Sequence, residues 1–223
     1  LDGVGKKIVM LTNAPRRAHA IAASMEKMGM PRAYCAAIMS SGEATHLSLR
    51  GRYDAVLAGT GPHCFHIGPE RDENLFDGLD IERVADVAAA DFIVNTGPWV
   101  DGAKVSDYEV TLAAGAGRGL PMVCANPDLE VIRGGNRIIC AGALARRYEE
   151  MGGKVRYFGK PRPAIYDSCF AMLGIGERAR ILAVGDSLRT DIAGAKGAGI
   201  AAVLVAGGLH GEEFGADGGD GLD

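Results

Sequence analysis

Short apolar runs alternate with helical patterns along most of this chain. Residues 8–11, Ile-Val-Met-Leu, are too few for a helix and read as a buried strand. That run ends at Thr12-Asn13-Ala14-Pro15, and a helix is expected from there through about Met28, stopped by Gly29 and Pro31. Residues 55–59, 92–95 and 122–125 are further apolar runs and are expected to be strands. The spacing predicts a helix over 106–117, with Ser106 as its N-cap and Glu109 completing a capping box. A helix over 141–151, closed by Gly152-Gly153, then leads to a strand at 155–158 and a helix at 163–173. The strand at 181–184 runs into Gly185-Asp186, a helix follows over 190–196, and 201–205 forms the last strand. The tail from Gly207 is rich in glycine and aspartate and receives no element. Strands alternating with helices, without internal repeats, point to the α/β class with a parallel sheet.

Bulk composition narrows the function classes. At 223 residues the chain suits one large domain, or a core carrying a smaller inserted one, and its core needs no disulfide or metal staple. A net charge of -4 without a basic stripe argues against nucleic acid as a main partner. The longest apolar stretch, residues 200–206, is too short to span a bilayer, so no membrane partner is expected. The first seven residues carry no apolar signal-peptide core. Cys35, Cys64, Cys124, Cys140 and Cys169 are odd in number and form no CxxC pair, which reads as reduced, buried thiols in a cytoplasmic setting.

Three strand ends carry residues with chemistry. Asp186 leaves the strand at 181–184, and Asp191 lies five positions on, in the first turn of the next helix. Ligands of open α/β sheets bind beyond the carboxyl ends of strands, and two carboxylates there can share a hard cation such as Mg²⁺. The alternative is a turn residue and a helix N-terminal charge. Thr12 and Asn13 offer a hydroxyl, an amide and backbone N–H groups as an anion cradle, or a simple N-cap, the commoner use of such residues. Lys160, between Gly159 and Pro161 after the strand at 155–158, can place one ammonium beside a phosphate, or merely be solvated.

Taken together, hydroxyl, lysine and paired acids at successive strand ends resemble motifs two to four of the haloacid dehalogenase (HAD) superfamily, nearest to its class IIA branch of NagD-like, pyridoxal phosphate and nitrophenyl phosphatases. The segments that carry the resemblance are Leu11-Thr12-Asn13-Ala14-Pro15-Arg16, Asn126-Pro127-Asp128, Gly142-Ala143-Leu144, Gly159-Lys160-Pro161 and Gly185-Asp186-Ser187-Leu188-Arg189-Thr190-Asp191-Ile192. The resemblance implies a three-layer, Rossmann-like parallel-sheet core over 1–52 and 140–223, with an α/β cap inserted over 53–139. It further implies a Mg²⁺-dependent phosphatase acting on a small phosphate monoester, such as a sugar phosphate or pyridoxal phosphate, through an aspartyl-phosphate. Thr12, Asn13 and Lys160 would bind the phosphoryl group, Lys160 also serving catalysis, while Asp186 and Asp191 would form the metal site. Caps of this class often join homodimers.

The family's first motif, Asp-x-Asp-Gly-Val, is only partly present. Leu1-Asp2-Gly3-Val4 fits its last four positions, which makes Asp2 the general acid–base and puts the nucleophile just ahead of Leu1. Gly5-Lys6-Lys7 follows at once, where the family has a strand, a flap and a helix, so residues are expected to be missing between Val4 and Gly5. Without a nucleophile, the chain would instead be a catalytically silent phosphate-binding protein.

Within the expected cap, His63, Cys64 and His66 suggest a metal, but a plain loop or strand fits better because no acidic or histidine partner follows at ligand spacing. Trp99 is expected to pack rather than stack on substrate. Arg16 and Arg17 are expected on an exposed helix face, with an approach to a substrate anion as the alternative.

Overall fold

A computed structural model describes residues 5–51 and 57–207. The chain divides into two compact units, Leu1–Gly159 and Lys160–Asp223. In the first unit, β1 (Val9–Thr12) pairs in parallel with β2 (Ala37–Ser40), with α1 (Ala18–Lys27) between them in sequence. Ile21 and Met25 of α1 pack on Cys35 and Ile38, which buries one stripe of that helix. The helix α2 (Ser41–Gly51) follows β2 directly.

The larger sheet of this unit has the order β4-β3-β5-β6-β9, all parallel. Its strands are β3 (His63–Ile67), β4 (Glu82–Val84), β5 (Phe92–Asn95), β6 (Pro121–Cys124) and β9 (Lys154–Tyr157). Side chains alternate between two faces, as the two-residue period requires. Phe92, Val94 and Val123 enter one cluster with Leu49 of α2, Leu57 and Leu75. Ile93, Met122 and Cys124 enter the other with Leu112 of α3 (Glu109–Gly117) and with Leu144 and Tyr148 of α4 (Ala141–Glu150). Burial on both faces explains why β5 and β6 read as continuous apolar runs. Arg147 of α4 grips Glu109 of α3 with two hydrogen bonds, at 2.7 and 2.9 Å. Gly115 lets these layers close, since a Cβ there would sit 2.7 Å from the Ile93 side chain. A hairpin of β7 (Glu130–Arg133) and β8 (Asn136–Ile139) is the antiparallel pair among the described strands.

The second unit holds α5 (Pro163–Leu173), β10 (Leu182–Gly185), α6 (Ala193–Gly197) and β11 (Ala201–Leu204), with β10 and β11 parallel. The expected α/β class, with parallel strands and intervening helices, is what forms.

Several expectations need correction. Of the strand expected at 55–59, residues 55 and 56 lie outside the described residues, and Leu57, Ala58 and Gly59 form a turn. The strand comes later, at β3, where histidines among the apolar residues mask the run. The helix at 106–117 starts earlier, as a 3-10 turn over Val105–Tyr108, so Ser106 is not its N-cap. Lys104 takes that position, with its amide donating to Asp107 Oδ2 at 2.8 Å. In the larger sheet β6 and β9 pair through Pro121–Lys154 to Cys124–Tyr157.

Candidate functional site

The second unit gathers three of the sequence-nominated residues around one turn. The strand β10 ends at Gly185, and Asp186 follows it. The chain then enters a π-helical turn, Leu188–Ile192, in which the Asp191 and Ile192 amides both donate to the Ser187 carbonyl, at 2.9 and 3.1 Å. Ser187 caps the turn, since its hydroxyl accepts from the Thr190 amide at 3.3 Å. Wide turns of this kind recur at functional positions because they re-aim a side chain.

Here the turn aims Asp191 back at its own start. One carboxylate oxygen accepts from the Ser187 amide at 3.1 Å, and the other lies 2.5 Å from Lys160 Nζ. Both side chains are about one-eighth exposed, at 12% and 13%. Gly185 is required by this closeness: a Cβ there would lie 2.3 Å from Asp191 Cγ. The Tyr166 hydroxyl donates toward the Thr190 and Asp191 carbonyls at 3.4 and 3.3 Å, which ties α5 to the turn. Burial, and then the Asp191 charge, push that phenol up, so it serves as a donor.

This geometry decides how the two acids can serve a cation. Asp191 has both oxygens engaged, which suits it to orient Lys160 and the turn rather than to offer a bare face. Asp186 lies half-buried directly after the strand end. Oxygen donors from these two acids fit a hard divalent cation better than zinc. Among the described residues no group of three His, Cys, Asp or Glu forms a metal cluster.

In the first unit, Thr12 ends β1 and Asn13 follows it. The Thr12 hydroxyl accepts from the Ala14 amide at 3.2 Å, closing a local turn. Asn13 is 4% exposed, and its side-chain amide donates to Asp128 Oδ1 at 2.9 Å. Asp128 is in turn held by the Asn126 side chain, which accepts the Asp128 amide at 3.0 Å. Thr12, Asn126 and Asp128 border a cleft of about 220 Å³, which also takes in Arg16, Arg71, Asp72, Thr96, Asp101 and the apolar Pro15, Pro98, Val131 and Ile138. Thr12 and Asn126 thus stand at one opening with two arginines and three acids.

The remaining nominations sort by contact. Asp2 lies outside the described residues. Arg17 is no exposed-face charge: it forms an ion pair with Glu43 at 2.8 Å, with side chains 18% and 14% exposed. Burial pushes the Glu43 carboxyl up, but the Arg17 guanidinium and the Ala18 amide outweigh it and hold it below the usual range. His63 pairs with Asp91 at 2.9 Å, Cys64 is fully buried, and His66 Nε2 meets the Thr96 hydroxyl at 2.9 Å, so the three serve separate partners. Trp99 is 41% exposed yet packs as expected, 4.7 Å from the Tyr108 ring and edge-on to Phe65. All five cysteines are free and buried. Among the described residues no helix is long and apolar enough to cross a membrane. Sequence reasoning missed Asp128, Arg71 and Asp101 as cleft residues. The Asn-Pro-Asp turn was a signal for Asp128, but the other two sit in polar loops with no distinguishing spacing.

Comparison with known proteins bears on these arrangements. A profile described as HAD-hydrolase-like matches residues 157–218. A haloacid dehalogenase-like family hydrolase from Brucella suis 1330 is 34% identical, with a TM-score of 0.83 over 96% of this chain and 80% of that one. A 4-nitrophenylphosphatase from Thermotoga maritima is 24% identical, with a TM-score of 0.73 over 96% of this chain and 78% of that one. A glycerol phosphate phosphatase from Mycobacterium tuberculosis, in complex with magnesium, is 24% identical, with a TM-score of 0.66 over 92% of this chain and 59% of that one. A search of curated protein sequences gave no match.

Proposed function

The chain belongs to the haloacid dehalogenase-like hydrolase family, and from that premise we propose that it is a Mg²⁺-dependent phosphatase of small organic phosphate monoesters. The observation that carries this reading is the Lys160–Asp191 pair, held at 2.5 Å in the turn that Asp186 opens. A lysine fixed by a buried acid is a positioned cation, and phosphoryl transfer needs one where charge accumulates on the equatorial oxygens. The fold of phosphatases from Thermotoga maritima and Mycobacterium tuberculosis supports the reaction class.

The residues divide the work as follows. Lys160 holds a phosphoryl oxygen, and Asp191 keeps the ammonium oriented. Thr12 and Asn13 would offer a hydroxyl and backbone N–H groups to a phosphoryl anion. Asp186 would hold the metal, which would supply charge neutralisation, and Asp191 would support that site. Asp2 acts as general acid–base: it protonates the leaving alkoxide and then deprotonates the water that hydrolyses the aspartyl-phosphate. In the Asp-x-Asp-Gly-Val motif that Asp2-Gly3-Val4 resembles, the nucleophilic carboxylate is the aspartate two residues before the acid–base.

Turnover of p-nitrophenyl phosphate by the intact protein with Mg²⁺ tests this. Lys160→Met and Thr12→Ala are each expected to lower kcat, roughly 10²-fold or more for the lysine. Phosphate binding without turnover would instead support a silent binding protein.

A further inference from the structure

The cleft of the first unit carries two guanidinium groups that its own carboxylates leave largely available. Arg71 approaches Asp101 at 3.7 Å, with both side chains 48% exposed. A half-solvated pair at that separation is weak and readily exchanged. Arg16 donates to the Ser24 hydroxyl at 3.3 Å, and its guanidinium meets no carboxylate among the described residues. The other acids of the cleft are committed or covered. Asp128 takes the Asn13 amide, and Asp72 is 3% exposed. The cleft therefore offers two guanidinium groups that no carboxylate holds tightly, against a partly apolar lining.

We propose that this cleft selects phosphate esters whose organic part bears a carboxylate, with Arg71 as the specificity residue and Arg16 as a second donor. The inference rests on the phosphatase reading and deepens it. Asp101 is then an internal competitor, holding Arg71 in place until the substrate carboxylate displaces it. Bidentate guanidinium–carboxylate pairing would replace a single long contact by two short charge-assisted hydrogen bonds. A cleft of about 220 Å³ suits a compact acid, below the size range of pockets for larger ligands.

Two matched esters test this, 3-phosphoglycerate and glycerol 3-phosphate, which differ by a carboxylate in place of a hydroxymethyl group. The unmodified protein should show the lower KM for the acid. Arg71→Gln should raise that KM roughly tenfold and leave kcat, and the KM for glycerol 3-phosphate, within about twofold. Asp101→Asn should move the KM for the acid the other way. A merely structural ion pair would shift both esters alike in both variants, and that result, or equal KM values in the unmodified protein, overturns the proposal. If neither ester nor p-nitrophenyl phosphate is turned over, the phosphatase reading fails on its own. Calorimetric titration of the two esters then still decides the selectivity: a preference for the acid that Arg71→Gln abolishes supports it, and equal affinities refute it.

Discussion

Replacing Asp191 by asparagine removes one charge of the Lys160 pair while keeping an acceptor for the Ser187 amide. Lys160 is then left as an ammonium only 12% exposed, with its 2.5 Å partner neutralised. Breaking a buried pair from one side costs about 3–5 kcal/mol. The residual exposure and the polar replacement reduce this to roughly 2–3 kcal/mol. For a chain of this length that corresponds to a fall in Tm of roughly 4–12 °C. Urea unfolding of Asp191→Asn, Lys160→Met and the double variant forms a thermodynamic cycle. The double variant should recover much of the loss, because methionine leaves no charge to strand, giving a coupling of about 1.5 kcal/mol or more. Losses that simply add, with coupling under about 0.5 kcal/mol, would refute the view that Asp191 is there to hold the lysine.

Three further outcomes follow from the same geometry. Gly185→Ala places a Cβ 2.3 Å from Asp191 Cγ, so it should reduce phosphatase kcat at least tenfold by displacing that carboxylate; undiminished kcat contradicts the argument. Gly142→Ala meets the Pro127 and Asp128 carbonyls at 2.4 and 2.5 Å and should cost roughly 1–3 kcal/mol in urea unfolding, whereas Gly117→Ala, with open space around it, should be neutral or mildly stabilising. Burial, and then the Arg83 charge, push the His66 imidazole down to about 4, below its usual 6.5, so its protonation favours the unfolded chain. Its contribution is therefore complete above about pH 6.5 and lost as the pH falls toward 4. His66→Gln should flatten the acid limb of the stability profile in that window, and an unchanged limb would count against it.

Elements with one dominant local signal were legible. The Pro163–Leu173 helix, capped by Gly174 with φ 65°, matches its expected bounds, and β5 and β6 match theirs to within a residue because both faces of their sheet are buried. The helix α2 went unread because its polar residues are the buried ones, namely Ser41, Thr45 and His46. The Thr45 hydroxyl returns to the Ser41 carbonyl at 2.8 Å, and His46 Nδ1 donates to the Leu75 carbonyl at the same distance. Such satisfied polar groups reverse the amphipathic pattern. Strand-end position singles out Thr12, Lys160 and Asp186 in the sequence, since one strand–turn–helix fixes each. The sequence could not reveal that Asp191 spends both oxygens on Lys160 and Ser187, because that follows from the π-helical turn. It also hid the contrast between Arg17, closed off by Glu43, and its neighbour Arg16, which borders the cleft.

The most direct test of the account is the Mg²⁺ dependence of p-nitrophenyl phosphate hydrolysis in the intact protein and in Asp186→Asn. The expected result is saturable activation by Mg²⁺, loss of turnover on chelation, and a fall in kcat of roughly 10²-fold or more in the variant. Turnover that is indifferent to Mg²⁺ and unchanged in Asp186→Asn would contradict the account.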